Sequence, residues 1–428
     1  MFRSVRRQRV HRQADRSAGS GDEASHSRSR SRICRYPRRR GARSAVVRPG
    51  RRGDVGERRA GLRSAAATAS GGRGQKIDAP SLAEIFAGTA VRVRLGRVIG
   101  VDPERRVVAV ADGDGGGELG YDTLVYALGS HGAVHGVPGV AEYAFDVGGR
   151  PSALRLSERL AALEARGGGG KVVVVGDGLT GIETATEIAE SRPRLAVTLI
   201  ARGELGARLS AGARGHLRRA CDRLRIGVVE HTEVTAVEAD QVRCADGTVL
   251  AADAVVWTAG FAVSPLAAAS GLEVTEHGRI VVDRTMRSLS HPDVYAVGDS
   301  VYAIGDNGLP LPMSCASAGA TGMQAVQAIV GRLTGGEVAR AKLVYVANHI
   351  SLGRRDGIIQ MVDRQGRAKP ACLGGRKAAL IKAAIVRMSL WASVHPTFGL
   401  PRRRHRVSAT PDAYVGEPTV SVERKAAA

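Results

Sequence analysis

Gly176, Gly178 and Gly181 stand in the spacing GxGxxG, directly after Lys171 and four consecutive valines. That spacing serves one kind of chemistry. The first glycine permits a tight turn, the second lets the backbone approach a pyrophosphate, and the third lets the next helix pack close. A helix opening there aims its first N–H groups at phosphates. Two charged residues accompany the turn. Glu183 lies two residues beyond the last glycine, at a helix start where the dipole favours a carboxylate. Arg202 stands just past the next apolar run, where the ribose 2′ position of a dinucleotide is read. An acid there suits a 2′-hydroxyl and a guanidinium suits a 2′-phosphate, so Arg202 leans to NADPH while nearby Glu204 offers the NADH choice. The alternative is a glycine turn in some other α/β protein.

The elements that must hold this turn follow from the apolar pattern. Residues 171–175 are β-branched and apolar, as in a parallel strand buried on both faces. A helix is predicted over 182–190 and a second strand over 195–200. Upstream, a short helix at 82–86 precedes strands at 91–98 (VRVRLGRV) and 106–111, then a glycine-rich turn. YDTLVYALGS (121–130) reads as an apolar strand closed by Gly129, and 154–166 as a helix. Downstream come a basic amphipathic helix at 213–224 and strands at 226–230 and 234–238. A hairpin follows around Asp246-Gly247, then a strand at 254–258 running into Gly260. Strands at 279–282 and 293–297 precede Gly298-Asp299 and a long helix at 318–333. The last part mixes strands in LVYVA (343–347) and GIIQMVD (357–363) with a helix at 376–393.

The 428 residues suffice for two or three domains, and 43% are hydrophobic. The formal charge of +22 is uneven. Residues 1–74 carry 21 Arg against 5 acids, whereas the remainder carries 42 basic and 36 acidic side chains. Arg, Ser and Gly without periodicity cannot bury enough surface to offset chain entropy, so 1–74 reads as disordered. It suits a nucleic-acid-binding arm, a basic targeting peptide, or a non-native start read out of frame. The abrupt change near Gln75 favours the last. Residues 396–428 read as a loose basic tail. Five cysteines without any CxxC argue against a zinc site or a local redox disulfide, and fit a reduced cytosolic chain. No metal site is predicted. No apolar run reaches about 18 residues, so no transmembrane helix is expected, and the N-terminus lacks the apolar region of a signal peptide.

Four separated motifs then fall into one order: YDTLVYALGS, VVVVGDGLTGIETA, VVWTAGF and DVYAVGDSV. In that order they resemble the two-dinucleotide-binding-domain flavoproteins, the family of glutathione reductase, ferredoxin reductases and type II NADH dehydrogenases. The resemblance spans about residues 82–391. It implies an α/β fold of two Rossmann-like domains, with an NAD(P)H domain (151–282) inserted in an FAD domain (75–150 and 283–335). An α+β C-terminal region (336–395) follows. FAD and NAD(P)H are the implied cofactors. Asp299, after Gly298, would accept hydrogen bonds from the ribityl chain, where a strand-end cap is the plainer reading. Gly129 and Gly260 would border the cofactors. The helix start near Ala318 would lie at the N1–C2 edge of the flavin and favour its reduced form. Glu183 would stand where nicotinamide meets flavin, orienting the carboxamide or accepting a proton; its plainer reading is a solvated helix-start acid. Glu187 reads as structural.

Two departures matter. The redox cysteine pair of the disulfide reductases is absent, so disulfide reduction is not expected, and Cys315 reads as a single buried thiol. The strand and GxGxxG that would hold the FAD pyrophosphate are not found in 1–74. Half of the FAD site is therefore missing from the sequence, and the chain as written is expected to hold flavin poorly and to be inactive.

The resemblance is nearest to the type II NADH dehydrogenases, implying hydride transfer from NAD(P)H to FAD and electrons onward to a quinone-like acceptor. Leu380, Ile381, Ala384, Ile385, Met388 and Trp391 form one apolar helical stripe, flanked by Arg376, Lys377, Lys382 and Arg387. Such a helix suits an anionic membrane surface, where a lipid quinone is reached. It equally suits packing on the FAD domain or on the partner in a homodimer. The expected location is cytoplasmic, with peripheral contact at the inner face of the membrane. Two other functions stay open. One is a soluble reductase of a ferredoxin-like carrier, which the mildly basic body suits. The other is an inactive nucleotide-binding remnant with a nucleic-acid-binding arm, nucleic acid being the less favoured partner.

Overall fold

The computed structural model describes residues 81–395 except 88, 90, 112–115 and 168, together with the backbone of Ser44–Ala45. The expectations for the rest of 1–74 and for 396–428 lie outside the described residues. One is corrected: inside the segment read as unfolded, Ser44–Ala45 runs parallel to Thr123–Tyr126, with Ser44 opposite Thr123. Strand pairing uses only backbone N–H and C=O groups, and two residues leave no legible side-chain pattern.

In chain order the strands of the two main parallel sheets are β1 (Ser44–Ala45), β2 (Thr123–Tyr126), β3 (Ala144–Phe145), β4 (Lys171–Val175), β5 (Ala196–Ile200), β6 (Gly227–Val229), β7 (Ala254–Trp257) and β8 (Val294–Ala296). The long helices are α1 (Arg150–Ala165), α2 (Leu179–Ser191), α3 (Ala211–Arg223), α4 (Cys315–Thr334) and α5 (Arg376–Val394). Strands β3 to β7 make one sheet in the order β6-β5-β4-β7-β3, all parallel. Its two faces meet different layers. Val172 and Val174 of β4 pack with Leu156 and Leu160 of α1, Ile182 and Ile188 of α2 and Leu217 of α3. Val173 and Val175 face the antiparallel meander of Val234–Val237, Gln241–Cys244 and Val249–Ala251. Burial on both faces is why β4 is four valines without alternation, each contributing about 1.5–3 kcal/mol.

A second core surrounds the order β1-β2-β8, where Leu124, Tyr126, Val294 and Tyr295 meet Ala325 and Ala328 of α4. The fold is thus α/β with two Rossmann-like halves. A short antiparallel ribbon joins them: Ser130–Gly132 pairs with Phe261–Val263, Ser130 opposite Val263 and Gly132 opposite Phe261. The C-terminal part is an antiparallel sheet of β9 (Ala347–Ser351), β10 (Gly357–Val362) and β11 (Ala368–Gly374), covered by α5. Its Ile350, Leu352 and Ile358 join the core under α2 and α3.

Two predicted strands are corrected. The alternating run 91–98 is strand only from Arg97 onward, and LVYVA is strand only from Ala347. Val93, Leu95, Val344 and Val346 are exposed, so the alternation there does not mark a half-buried strand, although the Val346 carbonyl still accepts from Val362 N at 2.9 Å.

Candidate active site

The fingerprint glycines divide their labour as steric facts. Gly176 has φ +108°, and a Cβ on it would lie 2.9 Å from the backbone of Thr258. A Cβ on Gly181 would collide with the Gly176 carbonyl, so the third glycine lets α2 sit on the turn. At Gly178 a Cβ would meet nothing within 4 Å. Gly178 is also the N-cap of α2, and no side chain caps the N–H groups of the first turn. That open, positive helix end fits a pyrophosphate. The helix therefore starts at Leu179, three residues before the predicted 182, because the glycine turn itself caps it.

The strand β7 feeds the same place. Thr258 donates its hydroxyl to the carbonyl of Val175 at 2.7 Å, tying the TAG turn to β4. Gly260 has φ +130°, and a Cβ there would come within 2.8 Å of His135 Nε2, whose ring contacts the Ala259 carbonyl at 2.8 Å. His135 was not foreseen; it reaches the turn from a loop 124 residues earlier.

On the other side of the ribbon, Gly129, Gly298, Asp299 and Ala318 come together. Gly129 has φ +70° with nothing within 4 Å of a built Cβ. Its neighbour Ser130 donates to Asp299 Oδ2 at 2.7 Å. Gly298, at φ +76°, donates its N–H to Thr321 of α4 at 3.1 Å, and its built Cβ would lie 3.8 Å from Ala318. A carboxylate at a strand end, between two glycines that clear space, fits the hydroxyls of a ribityl chain.

The helix α4 corrects one expectation. It starts at Cys315, not near Ala318. Ser314 is its N-cap and accepts from Ser317 N at 3.1 Å, while the Ala318 N–H is spent on the Ser314 carbonyl at 2.9 Å. The donors left at the positive end are those of Cys315 and Ala316, and Cys315 is exposed rather than buried. The small residues around Ser314 look like loop, but a serine N-cap was the available signal.

Glu183 is placed beneath the C-terminal sheet. Its carboxylate accepts from Ser351 N at 3.0 Å and is ion-paired with Lys382 of α5, which also donates to the His349 carbonyl at 3.0 Å. Lys382 is thereby corrected: it turns inward and does not flank the exposed stripe. Burial and the Lys382 charge hold the His349 imidazole below its usual value. Glu187 pairs with Arg354 at 2.7 Å.

Arg202 is exposed beyond β5, at the edge where Val175 pairs with Ile200. Arg279, unnoticed in the sequence, lies part-buried behind Asp299. It donates to the carbonyls of Val301 and Leu311 and stacks 5.4 Å over the Tyr302 ring. Burial pulls its pKa down, against the field of Asp299. Among the described residues, the cysteines are unpaired and no group of His, Cys, Asp or Glu is placed to hold a metal ion.

Two glycine turns at the ends of parallel strands, facing each other across a ribbon, define a protein with two dinucleotide folds. The chain belongs to the pyridine nucleotide-disulphide oxidoreductase family, whose pattern matches residues 35–327. It is similar to an NADH dehydrogenase-like protein of Mycobacterium tuberculosis, 34% identical over 256 residues, covering 53% of this chain and 62% of that relative. It is also similar to a demethylphylloquinone reductase of Synechocystis, 28% identical over 56% of this chain and 61% of the relative. The chain thus spans about three fifths of the length of these relatives. The structure of NDH2 from Plasmodium falciparum in complex with NADH shares the fold, with a TM-score of 0.63 at 13% identity, over 79% of this chain and 92% of that one.

Proposed function

We propose that this protein is an FAD-dependent oxidoreductase that takes hydride from NAD(P)H and delivers electrons to a quinone-like acceptor. The observation that carries the reading is the pairing of the Gly176–Gly260 turns with the Gly129–Asp299 turns through the ribbon Ser130–Gly132 and Phe261–Val263. In this reading residues 151–282 form the nicotinamide domain, 75–150 and 283–335 the FAD domain, and 336–395 a C-terminal cover. The family membership and the names of the relatives support a nicotinamide–quinone reaction.

The chain's own residues supply binding and orientation. The first turn of α2 holds the nucleotide pyrophosphate, with Gly178 admitting it. Asp299, oriented by Ser130, accepts the ribityl hydroxyls, and the uncapped donors of Cys315 and Ala316 face the polar edge of the ring. FAD supplies, when bound, an acceptor for hydride that can release electrons to a quinone. Glu183, gripped by Lys382 and Ser351, acts in this reading as a positioning residue that fixes α2 under the C-terminal sheet.

The outward face of α5 supports a membrane-borne quinone. Leu380 and Met388 are each 69% exposed, with Ile381, Ile385 and Trp391 beside them and Arg376, Lys377 and Arg387 around them. Among the described residues no helix is long and apolar enough to cross a membrane, so the contact proposed is peripheral.

The test is an absorbance scan of the purified full chain after gel filtration, then addition of NADH or NADPH, then of a quinone. In contrast to the flavin-poor, inactive chain expected from the sequence, a flavin spectrum bleached by the nucleotide and restored by the quinone is expected in this reading. A bound flavin that neither nucleotide bleaches would overturn the reading.

A further inference from the structure

The reading above leaves the nucleotide's adenosine end unspecified, and the charges there decide it. Val175 ends opposite Ile200, and Gly176 N donates to the Ile200 carbonyl at 2.9 Å. Residues just past β5 therefore border the same edge as the fingerprint turn, where ligands of parallel sheets bind. Ala201 N bonds the Val229 carbonyl and His231 N the Gly203 carbonyl, which brings the end of β6 alongside. Two acids and three arginines meet here: Glu204, Glu230, Arg202, Arg214 and Arg218.

Both acids are already engaged. Arg214 binds Glu204 at 2.6 Å, and Arg218, one turn on, approaches its other oxygen at 3.5 Å. Arg218 grips Glu230 with both nitrogens, at 2.7 and 3.2 Å, and Leu205 N donates to the same carboxylate at 2.6 Å. The two α3 arginines thus cancel the two acids. What remains is the exposed Arg202, beside Gly203, where a Cβ would meet nothing within 4 Å. An acid that reads a ribose 2′-hydroxyl must be aimed at it, and both Glu204 oxygens are approached by α3 arginines, at 2.6 and 3.5 Å. An exposed guanidinium at the strand end matches a phosphate dianion.

We infer that the site is built for the 2′-phosphorylated dinucleotide, NADPH. Arg202 contacts the 2′-phosphate, and Arg214 and Arg218 hold Glu204 away from it. The inference rests on the nucleotide reading of the fingerprint turn.

Isothermal titration of the full chain with 2′,5′-ADP and with 5′-AMP separates the two. The phosphorylated fragment should bind more tightly by about 10- to 100-fold, the range of a charge-assisted contact. Arg202→Ala, an exposed change, should bring 2′,5′-ADP down to the AMP level and leave AMP unmoved. Arg202→Lys should keep part of the preference. Arg214→Ala, which frees Glu204, should weaken 2′,5′-ADP alone. AMP binding as tightly as 2′,5′-ADP, or a preference untouched by Arg202→Ala, overturns the inference and leaves the nucleotide site standing. Binding of neither fragment overturns both.

Discussion

Lys382 closes onto Glu183 across 199 residues of chain, joining the last helix to the helix of the glycine fingerprint. Both side chains are mostly buried, at 18% and 25% exposure. Lys382→Met should therefore leave a part-buried carboxylate with only Ser351 N, and cost about 1–3 kcal/mol. The double variant Lys382→Met with Glu183→Gln should recover much of that. Urea unfolding of the wild type and the two variants measures it, and equal stability of wild type and Lys382→Met would show the pair to be idle.

His349 sets a pH dependence at the same junction. Burial, with the Lys382 charge beside it, keeps the folded imidazole below its ordinary 6.5. The unfolded chain takes up the proton first as the pH drops. Stability is then full above 6.5 and is lost as the pH falls through the folded value. His349→Gln should remove this component, so the difference in unfolding free energy between the two proteins should change with pH below 6.5. A difference that stays flat from pH 8 to about 5 would contradict the placement.

The fingerprint glycines should separate binding from folding. Gly178→Val points into open space, so the fold should persist while the branched side chain blocks the pyrophosphate. Gly181→Ala drives a methyl into the Gly176 carbonyl and should cost about 1–3 kcal/mol or more. Thermal unfolding paired with titration of NADPH on the full chain checks both. A Gly178→Val protein that binds as the wild type does would remove the helix start from the site.

The exposed face of α5 should bind anionic vesicles. Met388→Asp and Leu380→Asp change outward side chains and should leave the fold intact. Each removes about 1.5–3 kcal/mol of burial at the interface, about tenfold or more in partition. Sedimentation with vesicles containing phosphatidylglycerol reads the effect, and absence of wild-type binding would leave the stripe to another partner.

Much of this was legible in the sequence because it is local. The four valines of β4 and the spacing of Gly176, Gly178 and Gly181 specify strand, turn and helix within sixteen residues. Gly298-Asp299 was legible for the same reason. What the sequence hid were partners brought from afar. Ser130 reaches Asp299 over 169 residues, and His135 reaches Ala259 over 124. Lys382 looked like one more cation beside an apolar stripe, since helical spacing does not say which flank faces inward. Arg279 opens the predicted strand 279–282 like any edge cation, and only the packing shows that it holds two carbonyls. The start of α4 was misread because Ser314 to Ser317 carry little apolar signal, while their hydroxyls and N–H groups make the cap.

The acids Glu183, Glu187 and Glu190 lie on one side of α2, and all three are held by the segment from Ser351 to Arg354. A helix pinned at three successive turns can neither slide nor tilt against its clamp without stranding a carboxylate. The nucleotide helix and the C-terminal sheet are therefore one mechanical body, and α5 rides on it. In the reading proposed above, a shift of α2 on nucleotide binding would be expected to carry the C-terminal sheet and α5 with it. The turn proposed to take the nucleotide and the apolar face proposed to rest on a bilayer would then move together.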